Sequence, residues 1–425
     1  MKIPAPQPAR FPNQLSTEKG CSADADASRR GARRLLKLVA LLAGLTAACV
    51  GNQGDVPGVT DSTIVLGQHT PLSGGFAAVY EPIASAQEAY FDYVNSQGGV
   101  CGRRIDLRVE DDFYDPARAL DATKKLVERD KVLAIVGGLG TASHSAVYEY
   151  LNEKGVPDLF VSSGARRWGS DPQRFPYTIG FIIDYTSEGA IIGKYISTHL
   201  PGQQVGVLYQ NDDFGRDGIA GLKAGLDPEK NDLVSEQSYE SSDTDIRSQV
   251  LNLRTAGAEV VVAYSLPGFS TQLISGASRL GWEPQIILSY VNTDPVMFKY
   301  VPPQVMEGVL ATGYLIPPDR TADAAIARHR QIMADHDGPQ PSNYSLYGQA
   351  LAETVVKVLG DTCDDLSRES LVRAAESLRG FHPSVLLEGI DVNLSPSDHY
   401  AVQALQMHRA VSGRWEPFGD IVSLD

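Results

Sequence analysis

The chain has 425 residues, 43% hydrophobic and 8% aromatic, with a formal net charge of −15. That length allows two or more domains, and the composition is that of a globular protein rather than a disordered one. Residues 1–48 carry a net +5, so the remainder carries −20, an acidic body that argues against nucleic acid as a partner.

Residues 1–34 are polar and rich in Pro and Ala, ending in Arg29-Arg30-Gly31-Ala32-Arg33-Arg34. The apolar run Leu38 to Ala48 is 11 residues long. It is too short to span a bilayer as a helix, which needs ~20 residues. A basic region, a short apolar core and small residues read as a signal peptide over residues 1–48. The core ends Leu45-Thr46-Ala47-Ala48-Cys49, which resembles the bacterial lipobox and implies lipidation of Cys49. Thr46 departs from the usual Leu of that pattern. The competing readings are an ordinary cleavage site and twin-arginine export through Arg33-Arg34-Leu35-Leu36-Lys37, one residue short of that motif. Residues 49–61 are a polar, Gly-containing tether.

The organising stretch is Ile64 to Pro116. Ile64–Leu66 is a short apolar strand leading into Thr70-Pro71-Leu72-Ser73-Gly74-Gly75. Ile83, Ala86, Ala89, Tyr90, Tyr93 and Val94 then recur at helical spacing, and Gly98-Gly99 ends the helix. Ile105–Val109 alternates as a second strand. Glu110-Asp111-Asp112 leads to Asp115-Pro116, where Asp at the N-cap and Pro at the first helical position start a new helix. This is a βαβ unit, the building block of parallel sheets.

The joint order of Pro71–Gly74, Asn95, Gly98-Gly99, Gly102-Arg103, Ile105, Asp111-Asp112 and Asp115-Pro116 resembles the opening of type I periplasmic solute-binding proteins. These are the branched-chain amino acid (Leu/Ile/Val)-binding family of ABC importers. The resemblance implies an α/β fold of two doubly wound lobes with three hinge crossings and a ligand cleft between them. Residues 62–179 and 313–389 would form lobe one, and 180–312 and 390–425 lobe two. Ser73, within the resembling segment, joins the candidate ligand contacts.

The chain continues with a helix from Asp115 to about Arg129 and a buried strand at Val132–Val136. The loop Gly137-Gly138-Leu139-Gly140-Thr141-Ala142-Ser143 lacks the full dinucleotide fingerprint and any following Gly-Lys-Ser/Thr. It reads as a loop whose amides and hydroxyls meet a ligand, with Thr141 and Ser143 the candidates. N-capping by Thr141 is the competing reading. A helix at Ala146–Lys154 and a strand at Val156–Val161 lead to Ser162-Ser163-Gly164-Ala165. The resemblance assigns recognition of a ligand carboxylate to Leu139–Ser143 and Ser162–Ala165. Several neutral donors held rigidly are what a carboxylate needs.

Phe175–Gly180 reads as a crossing. A second series follows: helix Asp184–Leu200, strand Val205–Tyr209, helix Ile219–Leu226, strand Val234–Tyr239, helix Asp245–Ala256 and strand Val260–Ala263. Helix Thr271–Leu280, strand Ile286–Leu288 and the returning strand Gly308–Gly313 come next. The resemblance puts an aromatic of the Gln210–Gly215 loop over the ligand, a role that falls on Phe214. Tyr80, Tyr264 and Tyr290 sit in loops at strand ends, where open α/β sheets bind ligands. Helices at Asp323–Asp337, Tyr344–Leu359 and Ser367–Leu378 precede a hairpin at Ala404–Val411 and Trp415–Ile421.

One loop departs from the amino acid binders. Where the family carries an acid for the ligand's ammonium, this chain reads Ser289-Tyr290-Val291-Asn292. Either Asp294 or Glu81 supplies that charge, or the ligand is not an ordinary α-amino acid, because an unpaired ammonium in a closed cleft is costly. Cys101 and Cys363 remain in the body as either a disulfide or two free thiols. The family packing of the 344–359 helix on lobe one implies that they pair.

The eight histidines are scattered, with no His-x-x-x-His and no Cys-x-x-Cys, so no metal site is expected. No cofactor is expected either, and no Gly-x-Ser-x-Gly marks a nucleophile. Asp111-Asp112 would face opposite ways at a strand end, which favours a turn or cap over a catalytic dyad. The expectation is a non-enzymatic, monomeric solute-binding lipoprotein of an ABC importer, taking an amino acid of branched-chain type or a related small carboxylate. Its second partner would be the membrane permease. Its place would be outside the cytoplasm, anchored to the outer face of the cytoplasmic membrane or periplasmic. The alternative is a binding protein that reports a solute to a membrane receptor.

Overall fold

The computed structural model describes residues 56–424. The signal segment, Cys49 and most of the tether lie outside the described residues. Two sheets are present. The first runs β2 (Arg104–Asp111), β1 (Thr63–Thr70), β3 (Ile135–Val136), β4 (Asp158–Val161), β5 (Thr178–Gly180) across the sheet, all parallel. Its three middle strands are almost wholly buried, which is why they read as apolar runs rather than alternating ones.

The second sheet joins β6 (Val205–Gln210), β7 (Leu233–Tyr239), β8 (Val260–Tyr264), β9 (Gln285–Leu288), β10 (Leu310–Gly313), β11 (Ala404–Val411) and β12 (Arg414–Ser423). Its order is β12-β11-β10-β9-β8-β6-β7, parallel from β7 to β10 and antiparallel through the final hairpin. The chain leaves the first sheet after β5. It returns after β10, when the Asn343–Gly360 helix packs on the Ala77–Ser96 helix of the first layer, with Gly348 against the Ile83 carbonyl. It crosses again to form β11 and β12. Cys101 and Cys363 form a disulfide with Cα atoms 5.1 Å apart, tying the turn before β2 to the segment after that returning helix.

Helix starts follow their caps. Asp115 accepts from Arg118 N ahead of Pro116, and Asp184 accepts from Thr186 and Ser187 N. Several boundaries differ from the sequence expectation: the strand expected at Val132–Val136 is only Ile135–Val136, and the crossing expected at Phe175–Gly180 carries β5. The helix expected from Ile219 begins at Asp213, capped by Asp212. Its glycines hide the helical period: Gly221 and Gly225 lie against the backbone of the Tyr185–His199 helix, Gly215 against the Gln210 carbonyl and Gly218 against the Tyr264 ring. Pro267 starts the helix expected at Thr271. The helix expected at Ala146–Lys154 is two short pieces, Thr141–His144 and Tyr148–Glu153.

Candidate ligand cleft

The loops after the carboxyl ends of the parallel strands of both sheets converge on one cleft, the location expected for ligands in open α/β sheets. Leu139, Gly140 and Thr141 come from the loop after β3, Ser162 from the loop after β4, and Tyr114 from the turn after β2. The second lobe contributes Phe214, Leu266, Tyr290 and Asp294 after β6, β8 and β9. Tyr80, Tyr344 and Tyr347 reach in from two helices of the first layer, and Tyr185 and Tyr314 from the crossings. The lining is mostly aromatic and apolar with a few polar groups, the make-up of a site for a small organic solute.

Of the sequence candidates, Tyr80, Leu139, Thr141, Ser162, Phe214, Tyr290 and Asp294 line the cleft. Ser163 stands one layer behind, its Oγ 2.7 Å from Thr141 Oγ1. Ala165 is buried there too, donating its N–H to Ser163 Oγ over 3.2 Å. Gly164 backs the Tyr290 hydroxyl, and a Cβ at that position would overlap it.

Three candidates do not reach the cleft. Ser143 turns its hydroxyl back to the Leu139 carbonyl at 2.6 Å, as a helical serine does with the residue four before it. Tyr264 is fully buried beneath Phe214, its ring edge-on at 6.0 Å. Ser73 is exposed on the surface and donates its hydroxyl to Asp111. Ser73 is a candidate through the family resemblance, Ser143 as a hydroxyl of the Gly-rich loop and Tyr264 as a strand-end residue, and none of these grounds tells which way a side chain turns.

Sequence reasoning missed Tyr114, Tyr185, Tyr314, Tyr344 and Tyr347. Tyr114 and Tyr314 were within reach, since each follows a predicted strand end as Tyr264 and Tyr290 do. Tyr114 is aimed inward by an unusual turn: Phe113 and Tyr114 both have left-handed backbones, at φ 57° and 58°. Such residues cost about 1–3 kcal/mol each unless the surroundings hold them. Here Asp111 Oδ1 accepts from Phe113 N at 3.0 Å and Asp112 Oδ1 from Tyr114 N at 2.7 Å.

The polar groups of the cleft are arranged in pairs. The Tyr347 hydroxyl donates to Ser162 Oγ over 2.9 Å, so the serine's own hydrogen remains available to a ligand. Asp294 Oδ1 accepts from Val296 N at 2.7 Å and Oδ2 from Asn343 N at 2.8 Å. Burial pushes the Asp294 carboxyl up despite these bonds. Behind Tyr290 lies Glu188, fully buried, accepting from Tyr290 N at 2.9 Å, the Ser289 hydroxyl at 2.9 Å and the Thr312 hydroxyl. Burial pushes its carboxyl up to about 7.

The two lobes touch at several points. Asn343 Nδ2 donates to the Thr293 carbonyl at 2.9 Å, the Tyr344 hydroxyl to the Val291 carbonyl at 3.1 Å, and Arg166 N to Asp217 at 2.7 Å.

The sequence matches the periplasmic binding protein family over residues 63–414, and the chain belongs to that family. The two-lobed α/β architecture agrees with that family. An amino acid binding protein of Pseudomonas aeruginosa is 27% identical over 304 residues, 68% of this chain and 76% of that protein. Among solved structures, a branched chain amino acid ABC transporter protein from Thermus thermophilus with bound valine superposes with a TM-score of 0.76. It is 19% identical and the match covers 86% of this chain and 97% of that one. A fatty acid ABC transporter substrate-binding protein from Thermomonospora curvata gives a TM-score of 0.74 at 24% identity, covering 86% and 94%. These relatives are solute-binding proteins, not enzymes.

Proposed function

We propose that the protein is the extracytoplasmic solute-binding lipoprotein of an ABC importer. It captures an amino acid of branched-chain type or a related small carboxylate in the inter-lobe cleft. The observation that carries this reading is the convergence of strand-end loops from both sheets on one cleft. Neutral hydroxyls at Thr141 and Ser162 stand at one end of it and aromatic rings around the rest. The valine-bound Thermus structure and the amino acid binding protein of Pseudomonas support the class of solute.

Capture needs no covalent step. The ligand enters between the lobes, the three crossings act as hinges, and closure excludes water and forms the cross-lobe hydrogen bonds described above. The closed form is then the species a permease would accept. A lipid on Cys49 would hold it at the membrane surface.

A thermal-shift screen of the full chain against amino acids, amides and short-chain or aromatic acids tests this reading. Ligand at ~100 times Kd adds about 2.7 kcal/mol to stability, a readable shift. Thr141→Ala and Ser162→Ala should each weaken the response. No shift with any of these solutes would overturn the proposal. For the anchor, Cys49→Ser should move the protein from the membrane to the soluble fraction.

A further inference from the structure

We infer that the ligand is a monocarboxylate with an aromatic or aliphatic body and no ammonium group, so that the cleft rejects α-amino acids. The inference rests on the solute-binding reading above and narrows it. It follows from counting what each end of a ligand would meet.

An ammonium buried in a closed cleft needs an anion or several free acceptors, because unpaired charge in a low-dielectric site is costly. Among the residues that line this cleft, Asp294 is the sole carboxylic acid, and none is Lys, Arg or His. Asp294 is 3% exposed, and each of its oxygens already accepts a backbone N–H. Glu188 sits behind Tyr290, takes three protein donors and does not line the cleft. Glu81 accepts the Ser85 hydroxyl on its own helix and does not line the cleft either. Each of these three acids is already engaged by the protein, and only Asp294 lines the cleft.

The carboxylate end is provided for. Ser163 Oγ accepts from Ala165 N and lies 2.7 Å from Thr141 Oγ1, a contact in which either hydroxyl can donate; with Ser163 as the donor, the Thr141 hydrogen is left for the ligand. Tyr347 donates to Ser162 in the same way and frees the Ser162 hydrogen. Two neutral donors, each oriented by a second hydroxyl, thus stand ready for one carboxylate.

The remainder of the wall is aromatic. Seven tyrosines and Phe214 line the cleft. Tyr80 stacks near Tyr114, with ring centroids 6.4 Å apart and planes within 12°, and meets Tyr344 edge-on at 5.7 Å. Such a wall favours a flat or branched apolar body. The tyrosine faces and the unpartnered Asn343 Oδ1 are features that could hold a cation without a carboxylate, so the experiment pits them against the inference.

The experiment is calorimetric titration of the full chain with matched pairs that differ only in the ammonium. The pairs are 3-phenylpropionate against phenylalanine and 4-methylpentanoate against leucine. Thr141→Ala and Ser162→Ala are titrated alongside, with their folding checked by thermal melts. The expected result is that the acid of at least one pair binds tenfold or more tighter than its amino acid, and that both variants weaken it. An amino acid binding as tightly as its acid or better, and weakened by the variants, would overturn the inference while leaving the solute-binding reading intact. Binding that neither variant weakens would place the carboxylate elsewhere and overturn the inference too. No binding by any member of either pair would sink the inference and the carboxylate-binding reading together.

Discussion

His69 Nε2 lies 2.9 Å from His144 Nδ1, and neither ring has any exposure to solvent. The pair is the centre of a longer chain. His69 Nδ1 is 2.7 Å from Asp112 Oδ2, and His144 Nε2 is 2.9 Å from Asp158 Oδ2. Three contacts in a row need three hydrogens, and two neutral imidazoles carry only two. The third hydrogen must therefore reside on a ring or on a carboxyl. The chain joins two walls of the cleft, because Asp112 also holds the Tyr114 turn and His144 closes the short helix that carries Thr141. Gly138 passes so close that a Cβ there would come within 2.8 Å of both rings.

Removing one ring tests how much the chain contributes. His69→Ala leaves Asp112 and His144 buried with unmet polar atoms beside a new void. Breaking a buried charged pair this way costs about 3–5 kcal/mol. Urea denaturation at neutral pH should show a loss of that size. A loss under about 1 kcal/mol would mean that water or a side-chain shift replaces the ring.

Glu188 predicts a pH dependence whose sign can be worked out. Its carboxyl rises from 4.5 to about 7 on folding, chiefly through burial. The folded state therefore binds the proton more tightly than the unfolded state. Stability from this group is full below pH 4.5 and falls as pH rises through 7, by about 3 kcal/mol in all. Burial lowers His144, which works the other way and costs stability as pH falls below 6.5. The two are separated by difference: Glu188→Gln keeps the shape and lets Ser289 accept instead of donate. Melts at intervals from pH 4.5 to 8 should show the variant gaining on wild type as pH rises, and parallel curves would refute the assignment.

Much of this architecture was legible in the sequence. The apolar runs at Val132–Val136, Val205–Tyr209 and Val260–Ala263, each followed by a polar or glycine-containing loop, marked parallel strands with ligand loops at their ends. What was not legible is side-chain direction and long-range pairing. Asp111 and Asp112 do face opposite ways, as alternation requires: Asp111 accepts from the Leu72 amide at the surface, and Asp112 turns inward. Nothing local could show that Asp112 meets His69, 43 residues earlier, or that His69 meets His144, 75 residues later. Tyr344 and Tyr347 were read as part of a packing helix, and only the fold shows that its first turn faces the cleft.

The Cys101–Cys363 disulfide closes a separation of 262 residues. Removing a native disulfide typically costs about 2–5 kcal/mol. The double variant Cys101→Ser with Cys363→Ser should melt lower by that amount of stability while binding ligand with unchanged affinity at 25 °C, since the bond lies away from the cleft lining. Thermal melts of the variant and of wild type in excess reductant should agree. If reductant leaves the wild-type melt untouched while the double variant is destabilised, the loss belongs to the substitutions and not to the bond.

The Tyr185–His199 and Asp213–Gly225 helices meet backbone to backbone, and glycines on both make the approach. A Cβ on Gly221 would overlap the Thr186 carbonyl, and one on Gly193 would lie 2.6 Å from the Leu222 carbonyl. Backbone atoms cannot swing aside as a side chain can, so any added carbon must push the helices apart. Overpacking of this kind costs about 1–3 kcal/mol. Gly221→Ala should fall in that range and Gly221→Val above it, as measured by urea denaturation. Displacement of the first helix would also move Tyr185 and Glu188, which sit on it one turn apart. Ligand affinity should therefore fall in step with stability across the two variants. A loss of stability with unchanged affinity would show that the helix pair yields on its far side and leaves the cleft in place.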